Sequence, residues 1–200
     1  MADDKKYLRT VLGECRRGLS ATYVPSVSRQ VQLRVLESSF YQAAPALVLY
    51  AAKDNEVSTD LLLSDALASQ RLVLMPKVIS ELHQLGFVRI TNCAELKPGA
   101  FGILEPAAEE IMSAAEIGPA LFCIPGVAFS RCGQRLGRGG GYFDRALAAI
   151  GPQTVTAGLA YSFQVLDGLP QAPNDRRLNL IITESAIHAG HCFDGAAPMV

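Results

Sequence analysis

The sequence predicts a single three-layer α/β/α domain on a mostly parallel sheet, and three observations carry that expectation. Two short apolar runs, "ALVLYAA" at 46–52 and "RLVLMP" at 71–76, flank the helical pattern "TDLLLSDALAS" from Thr59, the order of a parallel βαβ unit. The chain has 200 residues, of which 50% are hydrophobic and 18% charged, enough to bury one sizeable core. No internal repeat, low-complexity tract or linker divides it, so residues 1–200 are expected to form one domain.

The elements follow in order. In "DDKKYLRTVLGECRRGLS", Leu8, Val11, Leu12, Cys15 and Leu19 recur at helical spacing, leaving Lys5, Lys6, Arg9, Arg16 and Arg17 mostly on other faces of a basic amphipathic helix. After Pro25 a second helical pattern runs through Val27, Val31, Val35 and Phe40. The first strand comes next, then the helix from Thr59 and a strand expected to stop at Pro76. Further strands are expected at "GFVRI", "ALFCIPGVAF", "TVTAGLA" and "LNLIIT", with a helix at "YFDRALAAI". The segment Leu96 to Glu110 is the least regular and reads as a long functional loop.

Charge and cysteine content narrow the chemistry. A formal charge of -1 and the absence of Trp argue against a nucleic-acid binder or a membrane-surface protein. Five cysteines without CxxC pairing or a zinc-spaced Cys/His set suit a reduced cytoplasmic chain. The N-terminus lacks an apolar signal core and no run approaches the roughly 18 apolar residues of a membrane span, so neither feature is expected.

The chemistry concentrates in "FSRCGQRLGRGGGYFDRAL", Phe129 to Leu147. Gly137, Gly139, Gly140 and Gly141 let successive N–H groups converge on an anion, and the helix that follows adds its N-terminal dipole. Arg135 and Arg138 supply planar donors for phosphate or carboxylate, and Asp144 is a hard ligand placed for phosphate-bound Mg²⁺. A plainer reading also fits these residues: a connector with solvated arginines and Asp144 capping the helix. Two standard motifs are excluded, since there is no GxxxxGK[ST], and Tyr142 stands where GxGxxG needs its third glycine.

The stretch "PGVAFSRCGQRLGRGGGYFDR" closely resembles the signature of the 5-formyltetrahydrofolate cyclo-ligase family, approximately PGxAFDxxGxRLGxGxGYYDR. "EVST" at 56–59, "LMPK" near Pro76, "FGILEP" at 101–106, "SFQ" at 162–164 and "PNDRRLNLIITE" at 173–184 resemble its other landmarks in order. Ser130 stands at the family's usual aspartate, Asn174 at its histidine and Phe143 at its second tyrosine.

The resemblance implies a fold like that of sugar-phosphate isomerases and CoA transferases, and an ATP- and Mg²⁺-dependent conversion of 5-formyltetrahydrofolate to 5,10-methenyltetrahydrofolate. By resemblance, Lys5, Arg9, Arg135, Leu136, Gly137, Arg138, Gly139, Gly140, Gly141, Tyr142 and Phe143 meet ATP. Ala51, Glu56, Arg138, the same three glycines and Tyr142 meet the folate, monoglutamyl or polyglutamyl. Asp144 and Asp175 hold Mg²⁺, and Arg138 and Tyr142 stand at the reacting groups. On the residues alone, Lys5 and Arg9 also read as a solvated helix face, Glu56 as a loop acid, Asp175 as a turn residue and Phe143 as a core anchor. A monomer is expected, and a noncatalytic nucleotide- or folate-binding module of the same fold is the rival reading.

Overall fold

The computed structural model describes residues 2–170 and 176–190. In chain order the helices are α1 (Ala2–Arg17), α2 (Tyr23–Leu36), α3 (Ser39–Ala43), α4 (Asp60–Ala68) and α5 (Tyr142–Ala149). The strands are β1 (Ala46–Val48), β2 (Leu72–Ile79), β3 (Gln84–Ile90), β4 (Leu96–Pro98), β5 (Leu104–Pro106), β6 (Leu121–Ile124), β7 (Ala128–Ser130), β8 (Arg135–Leu136), β9 (Val155–Leu159), β10 (Val165–Leu166), β11 (Leu180–Ile182) and β12 (Ile187–Ala189).

The main sheet has the order β12-β11-β9-β6-β1-β2-β3. Its four inner pairings are parallel, while β3 and β12 close the two edges antiparallel. Both faces are covered, as continuous apolar strands require. Leu47, Leu121, Cys123 and Leu159 pack with Val31 and Val35 of α2 and Leu62 and Ala66 of α4 on one face. Val48, Phe122, Ile124 and Ile181 pack with Ala146 and Leu147 of α5 on the other. Fully burying each Val, Leu, Ile or Phe among them contributes roughly 1.5–3 kcal/mol. Helix α1 lies apart, over the small sheet β10-β7-β8, where Leu12 meets Val127, Ala128 and Leu136.

The structure corrects the sequence pattern in several places, one of them the segment 96–110, which holds the β4–β5 hairpin. Strand β2 runs through Pro76 to Ile79. Pro76 is tolerated there because its partner Phe87 turns its own N–H and carbonyl outward to Met112, which makes Pro76–Phe87 a non-hydrogen-bonded pair. Helix α2 starts at Tyr23, with Pro25 in the first turn, where no intrahelical N–H is missed. Phe40 belongs to the separate α3, whose start is capped by Ser38 accepting from the Tyr41 N–H. The run "ALFCIPGVAF" is two strands in two sheets, broken at Pro125–Gly126. On α1, Val11 and Cys15 are exposed while Arg16 is buried, because the helix packs through the narrow stripe Leu8, Leu12 and Arg16.

Candidate active site

The sheet creates the site. From β1 the chain moves to β2 on one side, and β6 later enters on the other, so the strand order reverses at β1. A parallel sheet leaves a crevice at the carboxyl ends of the strands at such a point. A cleft of about 460 Å³ opens there, lined by Tyr50, Ala51, Lys53 and Glu56 after β1 and by Pro125 and Gly126 after β6. Pro76 and Val78 of β2, Leu85 of β3, and Phe101 and Ile103 of the β4–β5 hairpin form an apolar wall, and Glu105 of the same hairpin also lines the cleft. Arg135 and the stretch Gly137 to Asp144 form the remaining side.

The Glu56 wall is a tight turn. Asp54 and Asn55 are both left-handed, with φ of 51° and 58°, which these two residue types tolerate best among side chains with a Cβ. Asn55 Nδ2 donates to the carbonyls of Arg16, Arg17 and Leu19, tying the turn to the end of α1. Glu56, 6% exposed, accepts from the Lys53 N–H at 3.1 Å. Lys53 Nζ donates to the Phe101 carbonyl across the cleft mouth.

The glycine loop closes over this turn. Arg138 donates to Glu56 Oε1 from Nε at 3.2 Å and Nη2 at 2.9 Å, to Asp54 Oδ2 from Nη1 at 2.6 Å, and to the Lys53 carbonyl at 3.1 Å. Burial opposes the Arg138 charge, yet Glu56 and Asp54 more than offset it and hold the guanidinium above its ordinary pKa. Gly139 at φ 107° and Gly141 at φ 70° need glycine, the latter as the N-cap of α5. The first residues of α5, Tyr142 to Asp144, line the cleft, so the helix N-terminus faces it. Arg145 stacks on the Tyr142 ring at 5.2 Å and donates to the Gly140 and His83 carbonyls. Phe101, 64% exposed, meets Tyr142 edge-on at 6.1 Å.

Arg135 is 4% exposed. It donates to Asp144 Oδ1 at 2.6 Å and to the Pro125 carbonyl at 3.0 Å, and it lies over the Phe143 ring. Its Nε is the one buried side-chain N or O without a hydrogen-bond partner among the described residues. Asp144 is 40% exposed. Among the described residues no three His, Cys, Asp or Glu side chains gather as a metal cage, and Asp175 and Asn174 lie outside the described residues.

The expected site residues thus fall into three groups. Ala51, Glu56, Arg135, Gly137 to Phe143 and Asp144 share the cleft. Arg9 reaches the loop through Nε to the Gly137 carbonyl at 2.9 Å. Lys5, one turn earlier on α1, is not among the cleft-lining residues, and Leu136 turns into the apolar cluster under α1. Ser130 is fully buried in the β7–β8 turn, where its Oγ accepts from the Gln134 N–H, the local bond an aspartate also makes.

Sequence reasoning passed over Lys53, Asp54, Glu105 and Arg16. The "KDNE" turn chemistry was the available signal for the first two; the 3.6-residue stripe shared by Leu8, Leu12 and Arg16 was the sole signal for the last.

The model described as the 5-formyltetrahydrofolate cyclo-ligase family matches residues 1–184. The mitochondrial 5-formyltetrahydrofolate cyclo-ligase of Arabidopsis thaliana is 32% identical, covering 91% of this chain and 76% of the relative. That of Haemophilus influenzae is 29% identical, covering 83% and 90%. The NMR structure of Aquifex aeolicus 5,10-methenyltetrahydrofolate synthetase matches with a TM-score of 0.82 at 29% identity, over 98% of this chain and 96% of that one. The Mycoplasma pneumoniae synthetase structure gives 0.72 at 28% identity, over 90% and 99%. Signature loop, switch-point cleft and whole-chain similarity converge: the chain belongs to the 5-formyltetrahydrofolate cyclo-ligase family and is an enzyme of that activity.

Proposed function

We propose that this cleft performs an ATP- and Mg²⁺-dependent cyclisation of 5-formyltetrahydrofolate to 5,10-methenyltetrahydrofolate, releasing ADP and phosphate. The observation that carries the reading is Arg138, which joins the glycine loop to Glu56 in one ion-paired network. A residue in that place borders both a phosphate and a folate.

The chemical problem is that the N5-formyl carbon is an amide carbon whose oxygen leaves poorly. In the proposed route the formyl oxygen attacks the terminal phosphorus of ATP and displaces ADP. N10 then adds to the activated carbon and loses its proton. Phosphate departs with the C–O bonding pair as the cationic ring closes. Such a transfer asks the protein for position and charge rather than for a nucleophile. Here the N–H groups from Gly139 to Tyr142 and the start of α5 face the phosphates, with Arg9 and Lys5 on the α1 side. The unpaired Arg135 Nε is a donor suited to a phosphate oxygen. Glu56 and Ala51 border the folate, the Tyr142 ring packs against it, and Phe101 and Val78 exclude water.

Mg²⁺ would neutralise charge and orient the terminal phosphoryl group. A half-exposed Asp144 fits an ion carried mainly by phosphate and water, the usual arrangement for Mg²⁺, with Asp175 as its proposed second ligand. We read residues 1–200 as one domain working as a cytoplasmic monomer. The free thiols of Cys15, Cys93, Cys123 and Cys132 suit a reducing compartment, and no described helix is long and apolar enough to cross a membrane.

The test is to mix protein, 5-formyltetrahydrofolate, ATP and Mg²⁺ and follow the near-ultraviolet absorbance of the methenyl product. The rise should require both ATP and metal. A rise that persists without ATP or in EDTA would overturn the proposal, and ATP binding without any rise would favour the noncatalytic module.

A further inference from the structure

We propose that Arg16 is a positioning residue that fixes Glu56 as an ionised acceptor for the folate and supplies its permanent countercharge. The proposal rests on the reading that Glu56 meets the folate, and it concerns a residue outside the cleft lining.

Arg16 is 3% exposed, and all three guanidinium nitrogens are engaged on the two walls of the cleft. Nε donates to the Asp54 carbonyl at 3.0 Å, after β1. Nη1 donates to the Gly126 carbonyl at 2.8 Å, after β6. Nη2 stands 3.6 Å from Glu56 Oε1. One side chain therefore sets the spacing of the two strand ends and faces the carboxylate between them. Leu12 and Leu8, one and two turns back on α1, pack into the apolar cluster and hold it there.

The same Glu56 oxygen accepts from Arg138, so two cations share it. The two differ in mobility. Arg138 is 39% exposed and belongs to the loop that must also serve the phosphates, whereas Arg16 is locked on a helix. When Arg138 turns toward phosphate, a carboxylate as buried as Glu56 would stand unpaired without Arg16, and an uncompensated buried charge is strongly unfavourable. The arrangement lets Arg138 move while Glu56 stays charged and aimed. The charged or titratable groups around Glu56 are Arg16 on α1, Arg138 on the glycine loop, Lys53 and Asp54 on its own turn, and Tyr50 at the end of β1.

The test measures binding of 5-formyltetrahydrofolate and of Mg²⁺–ATP separately by calorimetry in Arg16→Met, Arg16→Lys, Glu56→Gln and the Met/Gln double variant. Arg16→Met should weaken folate binding roughly tenfold or more, the scale of a lost charge-assisted contact. ATP affinity should fall by less than folate affinity, because Arg16 reaches the phosphate side only through Arg138, which shares Glu56 with it. Arg16→Lys should recover part of the folate affinity, since it keeps the charge but not the fork. In the Glu56→Gln background the Arg16 substitution should add nothing further.

Normal folate binding by Glu56→Gln would overturn the reading of Glu56 and this proposal with it. Weak binding by Glu56→Gln beside normal binding by both Arg16 variants would overturn the role of Arg16 alone. So would equal losses for ATP and folate, or losses that add in the double variant. Should Arg16→Met fail to fold, Arg16→Lys decides: a folate-selective loss supports the role, and an equal or absent loss removes it.

Discussion

At the scale of single residues, Arg138 is the junction of the cleft. It binds Glu56, Asp54 and the Lys53 carbonyl, and no other described side chain joins the glycine loop to the Glu56 turn. The pairing with Asp54 is durable: burial alone would raise the Asp54 pKa, but the bonds from Arg138 and the nearby Lys53 and Arg16 charges bring it below the ordinary carboxylate range. The ion pair therefore persists on acidification until the pH falls through that lowered value. Arg138→Ala should cut kcat/KM by roughly 10²–10³-fold or more, as loss of a preorganised charge does. Because the side chain is partly exposed, stability should change by about 1 kcal/mol or less. Steady-state kinetics beside thermal melts check both, and near-normal turnover in a folded variant would remove Arg138 from the chemistry.

At the scale of elements, the glycine loop and the β4–β5 hairpin make opposite demands. Gly139 holds φ 107°, outside even the left-handed helical region, so Gly139→Ala should strain the loop by about 1–3 kcal/mol. The strain should appear as weaker ATP binding together with a Tm lowered by a few degrees; unaltered ATP affinity would place the loop away from the phosphates.

On the hairpin, burial raises the Glu105 carboxyl above its ordinary value, against N–H bonds from Val78 and Ala100 and the attraction of Lys77. Above the ordinary carboxylate range the folded protein thus keeps a proton there that the unfolded chain has released. Stability from this position falls as pH rises through the raised value and is lowest above it. Glutamine keeps one acceptor and no charge, so Glu105→Gln should gain in Tm against the parent at about pH 7.5 relative to about pH 4.5. A Tm difference independent of pH would contradict this.

At the scale of the whole molecule, the parallel core was legible because its strands are buried on both faces and read as continuous apolar runs, as at Ala46–Val48 and Leu121–Ile124. The antiparallel edges were less so. The continuation of β2 past Pro76 depends on a partner choice, Phe87 with Met112, that no local pattern carries. The irregular segment 96–110 contains the hairpin β4–β5, too short for its alternation to register. In the site, the Gly/Arg loop was legible because its φ demands force glycine and its donors are sequential. Arg16 was not: its burial comes from two chain segments, around Asp54 and Gly126, that lie 38 and 110 residues away.

The most direct test of the central claim, that the cleft joins the formyl oxygen to the terminal phosphate of ATP, is to follow that oxygen. Substrate carrying ¹⁸O in the N5-formyl group would be turned over, and the released inorganic phosphate analysed by mass spectrometry. One ¹⁸O per phosphate formed is the expected result, because the C–O bond breaks only after that oxygen is bonded to phosphorus. Phosphate without label, with the ¹⁸O recovered in water, would contradict it.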